Sequence, residues 1–246
     1  MEQERLDKVI ASTGRWSRRE VKAMVRQGAV LVEGRPARSP EEKVDPETAN
    51  IQVAGEHLTY RRYTWVMLNK PAGYLSATED GRGPTVLDLL PTELGRQGLF
   101  PVGRLDKDTE GLLLLTNEGG LAHDLLSPRH HVDKVYRVRV QGRLTEEDCR
   151  AFAAGMTLPD GTALRPASLV ILSAGEESEG QVTLREGKFH QIKRMLAARG
   201  KPVVYLERVK MGNLPLDLAL SRGSFRFLTE NEVENLRQLS GGPGNR

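Results

Sequence analysis

The chain has 246 residues, 38% of them hydrophobic, and a formal charge of only +3. That length and apolar share fit one large or two modest folded domains and exclude wholesale disorder. A single cysteine, Cys149, excludes an internal disulfide framework, residues 1–8 lack the apolar run of a secretory signal, and no stretch approaches the roughly 20 apolar residues of a membrane span, so a cytoplasmic location is expected, with no membrane partner.

The first predicted element is a short helix through Leu6, Val9 and Ile10. Ser17 and Glu20 then form an S-x-x-E capping box, a helix-start signature. Val21, Met24 and Val25 supply its i, i+3, i+4 apolar stripe, and Gly28 stops it. Between residues 15 and 26 lie five basic residues, Arg15, Arg18, Arg19, Lys22 and Arg26, against one acid, Glu20. Arg18, Lys22 and Arg26 recur every four residues and share a face turned from the stripe. Such a face fits either a solvated surface or phosphate binding, and its local charge says more than the whole-chain total. Residues 29–32 form an apolar run ending at Glu33-Gly34, which predicts a hairpin. Residues 35–50, with Pro36, Pro40 and Pro46, read as a loop. Residues 51–58 return to the small module, and Arg61 and Arg62 read as a linker.

From residue 64 the signal changes to strands with intervening helices. Residues 65–68 form a strand that ends at Asn69-Lys70-Pro71. The four leucines 112–115 read as a strand buried on both faces. Residues 135–140 alternate, with Tyr136, Val138 and Val140 on one side and Arg137 and Arg139 on the other. A capped helix over 145–155, a strand over 181–185, a helix over 188–198 ended by Gly200, and a strand over 203–209 follow. Without regular βαβ alternation this reads as α+β with a largely antiparallel mixed sheet flanked by helices. No internal repeat is present.

The chemistry-bearing candidate is Gly103-Arg104-Leu105-Asp106-Lys107-Asp108-Thr109-Glu110-Gly111, which feeds the leucine strand. As composition alone it reads as a polar surface loop. Asp106, Asp108, Glu110 and Gly111 also imitate the start of a calcium loop, but its twelfth position is Asn117 and leucines stand where ligands belong. The third reading is enzymatic. The segment resembles the G-R-L-D-x-x-T-x-G-L-L-L-L-T motif of pseudouridine synthases in the ribosomal small-subunit synthase A family, with every fixed position present. Leu68-Asn69-Lys70-Pro71-Ala72-Gly73 resembles that family's first motif, Lys134-Val135-Tyr136-Arg137-Val138 its tyrosine-bearing strand, and residues 186–195 its third motif. Arg5-Leu6-Asp7 and residues 15–34 resemble the S4 RNA-binding domain.

The resemblance implies an S4-like RNA-binding domain at 1–60 and a pseudouridine synthase domain at 65–238; the residues themselves place a linker at 61–64 and a disordered tail at 239–246. It implies isomerisation of uridine to pseudouridine, with the base turned out of the RNA stack and no cofactor or metal required. It makes Asp106 the essential carboxylate, acting as nucleophile or base, and stacks Tyr136 on the target uracil. A carboxylate beside a flat base loses hydration, and a nearby cation offsets that loss. On a wheel at ~100° per residue, Phe189, Ile192, Met195 and Leu196 form the stripe of the third motif. Lys193 borders the stripe and Arg194 points away. Lys193 is therefore expected to pair with Asp106, while Arg194, Lys188 and Arg104 join Arg15, Arg18, Arg19, Lys22 and Arg26 as RNA contacts. A lysine that snorkels to water is the plainer alternative for Lys193. His123, His130 and His131 read as surface or loop histidines. The Phe189-His190-Gln191-Ile192-Lys193-Arg194-Met195 form resembles the enzyme of uridine-516 in 16S rRNA, which implies 16S rRNA or a small-subunit assembly intermediate as partner and no obligate protein partner. A 23S rRNA synthase of the same family and a non-catalytic, rRNA-binding assembly factor are the competing readings.

Overall fold

The computed structural model describes residues 3–81, 83–127, 130 and 132–241. They form two compact units, Met1–Thr64 with Leu87–Phe100, and Trp65–Val86 with Pro101–Arg246.

In the first unit, helix α1 (Leu6–Ser12) and helix α2 (Arg18–Arg26) lie on a small sheet. The capping box forms: Ser17 Oγ accepts from the Glu20 amide at 3.3 Å, and Glu20 Oε2 accepts from the Ser17 amide at 2.6 Å. Leu6, Val9, Ile10, Val21 and Val30 are wholly buried, so the apolar spacing of both helices builds the core. The four-stranded sheet runs Arg35–Pro36, Val30–Val32, Ile51–Val53, Glu56–His57. Its first hairpin turns on Glu33 and Gly34, both left-handed (φ 51° and 74°), as a two-residue hairpin turn of matching twist requires. Leu87–Phe100 packs with this unit, although the sequence boundaries place it inside the larger domain. Gln97 Nε2 donates to the Thr13 carbonyl at 2.9 Å. Gly14 sits so close to Glu93 that a Cβ there would meet its carbonyl oxygen at 1.8 Å.

The second unit is built on a mixed sheet in the order Ser168–Ser173, Glu177–Leu184, Lys134–Gln141, Val203–Met211, Glu110–Thr116, Trp65–Lys70, Phe225–Phe227. Every neighbouring pair in that order is antiparallel except Val203–Met211 with Glu110–Thr116. Leu112 to Leu115 are wholly buried, as their unbroken apolar run requires of a central strand. Gly111 is left-handed (φ 95°), and a Cβ there would lie 2.4 Å from the Arg208 carbonyl oxygen. Glycine at this position therefore lets the motif loop enter the strand beside Arg208.

Several elements lie outside the sequence reading: helix Gly119–Leu126, strand Ser168–Ser173 and helix Glu230–Leu239. The last has its own capping box, Thr229 with Glu232, and is pinned through the nearly buried Glu118. Glu118 accepts from the Trp65 indole at 2.8 Å and from both Arg237 terminal nitrogens at 2.7 and 2.9 Å. That helix includes Leu239, which the sequence reading assigns to the tail; residues 242–246 of that tail lie outside the described residues. The third-motif helix is Gln191–Ala198, three residues shorter at its start than expected, because His190 is left-handed (φ 48°). Among the described residues no helix is long and apolar enough to cross a membrane.

Candidate active site

The loop before the leucine strand is held from beneath by Lys70. Its side chain is wholly buried, and Nζ donates to the carbonyls of Pro71 (3.0 Å), Asp106 (3.2 Å), Lys107 (3.2 Å) and Thr109 (2.9 Å). Three of those carbonyls belong to the motif, so one ammonium sets the curvature of the loop that presents Asp106. Burial lowers its pKa to about 8, against the attraction of Asp108, Glu110 and Asp106. Ser76 clamps the next residue: its Oγ donates to the Leu105 carbonyl at 2.9 Å and accepts from the Leu105 amide at 3.1 Å. Neither Lys70 nor Ser76 was expected as a site residue. The signal for Lys70 was a lysine closing an apolar strand, where an ammonium must find buried acceptors.

Above the loop lies the third-motif helix. Lys193 Nζ is 3.2 Å from Asp106 Oδ2 and 2.5 Å from Asp108 Oδ1. Burial works to lower the Lys193 pKa, but hydrogen bonds to Asp108 and Asp106 outweigh it and hold the ammonium above its ordinary value. Burial likewise works to raise Asp108, and the Lys193 hydrogen bond brings it below the usual carboxylate range. Two carboxylates thus share one ammonium. His190 Nε2 stands 3.5 Å from Asp106 Oδ1, a neighbour the sequence reading did not include.

Phe189 departs from expectation. It precedes the helix, is 76% exposed, and stacks on the His190 ring at 3.8 Å instead of joining the buried stripe. The left-handed His190 turns the chain before the helical period begins, so the wheel does not apply to residue 189. Ile192, Met195 and Leu196 do form the buried stripe.

Tyr136 is 8% exposed and lies on the strand face shared with Val138 and Val140. Its hydroxyl makes no hydrogen bond among the described residues. With Asp106, Thr109, His190, Ile192 and Leu206 it lines a small cleft of ≈ 70 Å³. A flat ring, an apolar wall and a paired carboxylate therefore face one opening.

The expected RNA contacts divide into committed and free cations. Arg15 pairs with Glu56 at 2.5 Å, Arg18 with the buried Asp7 at 3.1 Å, and Lys22 with Glu41 at 3.8 Å. Lys188 Nζ donates to the Ala163 carbonyl at 2.5 Å, and Arg194 pairs with Asp160. Arg19, Arg26 and Arg104 are exposed and have no side-chain partner among the described residues. Spacing could not foresee the acids, because Asp7 and Glu41 reach the basic helix from other elements. His123 is exposed, His130 stands 3.9 Å from Asp124, and His131 lies outside the described residues.

Comparison with known proteins places these features in a context. Residues 64–198 match the RNA pseudouridylate synthase family and residues 4–49 match the S4 domain. An uncharacterized RNA pseudouridine synthase of Bacillus subtilis is 48% identical over 95% of this chain and 98% of its own length. A ribosomal small subunit pseudouridine synthase A of Pasteurella multocida is 38% identical over 93% of this chain and 97% of its own. A crystal structure of a pseudouridylate synthase superposes with a TM-score of 0.67 at 36% identity, covering 95% of this chain and 99% of that one.

Proposed function

The chain belongs to the S4-bearing RNA pseudouridine synthases, and from that premise we propose that it isomerises one uridine of 16S ribosomal RNA, uridine-516, in the cytoplasm. The observation that carries the proposal is that Asp106, paired with Lys193, lines one cleft with Tyr136. Relatives named for the ribosomal small subunit, similar over nearly the whole chain, support the choice of RNA.

In this reading the target uridine leaves the RNA stack and its uracil lies against the Tyr136 ring. Asp106 then faces the ribose and drives cleavage of the N-glycosidic bond. As the base displaces water, Lys193 supplies the positive charge that the dehydrated carboxylate needs. The freed uracil turns within the cleft, C5 bonds to the ribose and gives up its proton, and N1, released from the ribose, takes up a proton, so the product is an isomer of the substrate and no group is added. Lys70 and Ser76 are positioning residues that fix the loop and do not meet the base. The basic face of α2 contributes phosphate contacts through Arg19 and Arg26, and Arg104 does so at the cleft. Lys188 and Arg194 join them on exchange of their present partners.

The test is conversion in vitro. Purified protein is expected to form one pseudouridine in unmodified 16S rRNA, or in a small-subunit intermediate, and none in 23S rRNA. Conversion confined to 23S rRNA would move the enzyme to the other branch of the family, and binding without conversion of any RNA would favour the assembly factor. A second expectation concerns α2. Arg19→Gln with Arg26→Gln should weaken RNA binding uniformly and lower the slope of log affinity against log salt by about 2, one per lost phosphate contact. An unchanged slope would remove α2 from the RNA interface.

A further inference from the structure

On the same sheet face as Tyr136, a second cleft of ≈ 810 Å³ opens beside the first. Lys134 and Arg208 line it and are 7% and 1% exposed. Lys134 precedes Tyr136 by two residues and so points to the same face, and Arg208 lies opposite Tyr136 in the strand register. Arg208 Nε donates to the Leu112 carbonyl at 2.7 Å, but its Nη2 is buried without a partner. Lys134 Nζ reaches only the Val132 carbonyl, at 3.4 Å. Neither cation meets a carboxylate among the described residues. Asp133 is taken by Arg185 at 2.7 Å, and Glu186 Oε1 accepts from the Arg165 amide and the Gln191 side chain.

Two buried cations without a counter-ion violate the rule that buried charges are paired. Burial first, and then the neighbouring Arg208, lower the Lys134 pKa to about 8. The fold therefore carries an unfavourable arrangement that an anion would relieve. An open guanidinium edge beside an ammonium suits a phosphate, to which arginine presents fixed donors and lysine a point charge. The rim adds the exposed Arg104 and Arg165.

We propose that Arg208 Nη2 and Lys134 Nζ form a phosphate site that holds one backbone phosphate of the RNA strand next to the uridine entering the Asp106 cleft. The proposal rests on the reading of that cleft as the uridine site. Its role is to fix the nucleotide while Tyr136 holds the base, so it acts on substrate binding and leaves the chemical step alone.

The test uses full-length wild-type, Lys134→Gln and Arg208→Gln proteins and ribosomal RNA from cells lacking this protein. Lys134→Gln is expected to raise KM by about tenfold or more and leave kcat within about threefold, the pattern of a lost charged contact made equally in ground and transition states. Inorganic phosphate, at matched ionic strength, should compete with RNA for the wild type and much less for the variant. A folded Lys134→Gln protein with wild-type KM overturns the proposal. So does phosphate competition that the variant abolishes without any change in KM, since the site would then serve a free anion. Arg208 also carries the Leu112 carbonyl, so Lys134→Gln decides if Arg208→Gln fails to fold. Should the wild type convert no ribosomal RNA, the uridine reading fails by itself, and filter binding of the same RNA still judges the phosphate site: the salt slope falls by about one in Lys134→Gln if it stands, and is unchanged if it does not.

Discussion

Asp106→Asn is expected to lower pseudouridine formation by about 10⁴-fold or more, with RNA affinity within about threefold of wild type. Asparagine keeps the shape of the side chain and removes the charge that the proposed mechanism places against the ribose. The fold has little reason to respond, because Lys193 keeps Asp108 at 2.5 Å and Lys70 holds the loop by its carbonyls. Single-turnover conversion with purified variant and unmodified RNA checks it, beside a binding isotherm. Substantial turnover by Asp106→Asn would place the chemistry elsewhere. A loss of RNA binding in step with activity would make Asp106 a binding residue.

The second large effect is expected at Lys70. Lys70→Met fills similar space but leaves the carbonyls of Pro71, Asp106, Lys107 and Thr109 without their shared donor. The lost hydrogen bonds outweigh the relief of an unburied charge, and the net destabilisation is expected to be about 2–4 kcal/mol. Urea unfolding measures it, and kcat should fall by roughly 10²-fold because a shift of about 1 Å in a catalytic group is that costly. A variant of wild-type stability and rate would show that Ser76 and the glycines hold the loop unaided.

The same lysine sets an expected alkaline limb. Its folded pKa is about 8, below the ordinary 10.5. Between these values the unfolded chain holds a proton that the fold has shed, so this group's contribution to stability rises with pH in that window. The loop nevertheless loses its anchor, because a neutral amine cannot serve four carbonyls. kcat should therefore fall as pH rises through about 8. Lys193 and Asp108 do not titrate there. Lys193 is raised, so its contribution is lost only as pH climbs beyond 10.5; Asp108 is lowered, so its contribution is lost only as pH falls below 3.8. Lys134 titrates in the Lys70 window but should act on KM. A pH profile resolved into kcat and KM separates the two.

Much of this was legible because local rules and the fold agree. The S-x-x-E box, the four leucines and the alternation around Tyr136 each form the element their spacing predicts. Lys193 could be placed beside Asp106 because three of the four stripe residues obey the helical period. Phe189 could not, because the helical period begins only after the left-handed His190. Helix Glu230–Leu239 had a readable cap, but its docking depends on Glu118, more than a hundred residues away. Lys70, Arg208 and Lys134 show the same limit. Each sits in a strand whose residues look ordinary, and what distinguishes them is which distant carbonyls they meet, or that no carboxylate meets them.

Pseudouridines mapped in ribosomal RNA from cells lacking this protein, complemented with wild type or with Asp106→Asn, distinguish a synthase acting through Asp106 from every other reading. One pseudouridine of 16S rRNA, at position 516, is expected to disappear, to return with wild type and to stay absent with Asp106→Asn. A full complement of pseudouridines without the protein, or restoration of the missing one by Asp106→Asn, would contradict the synthase reading.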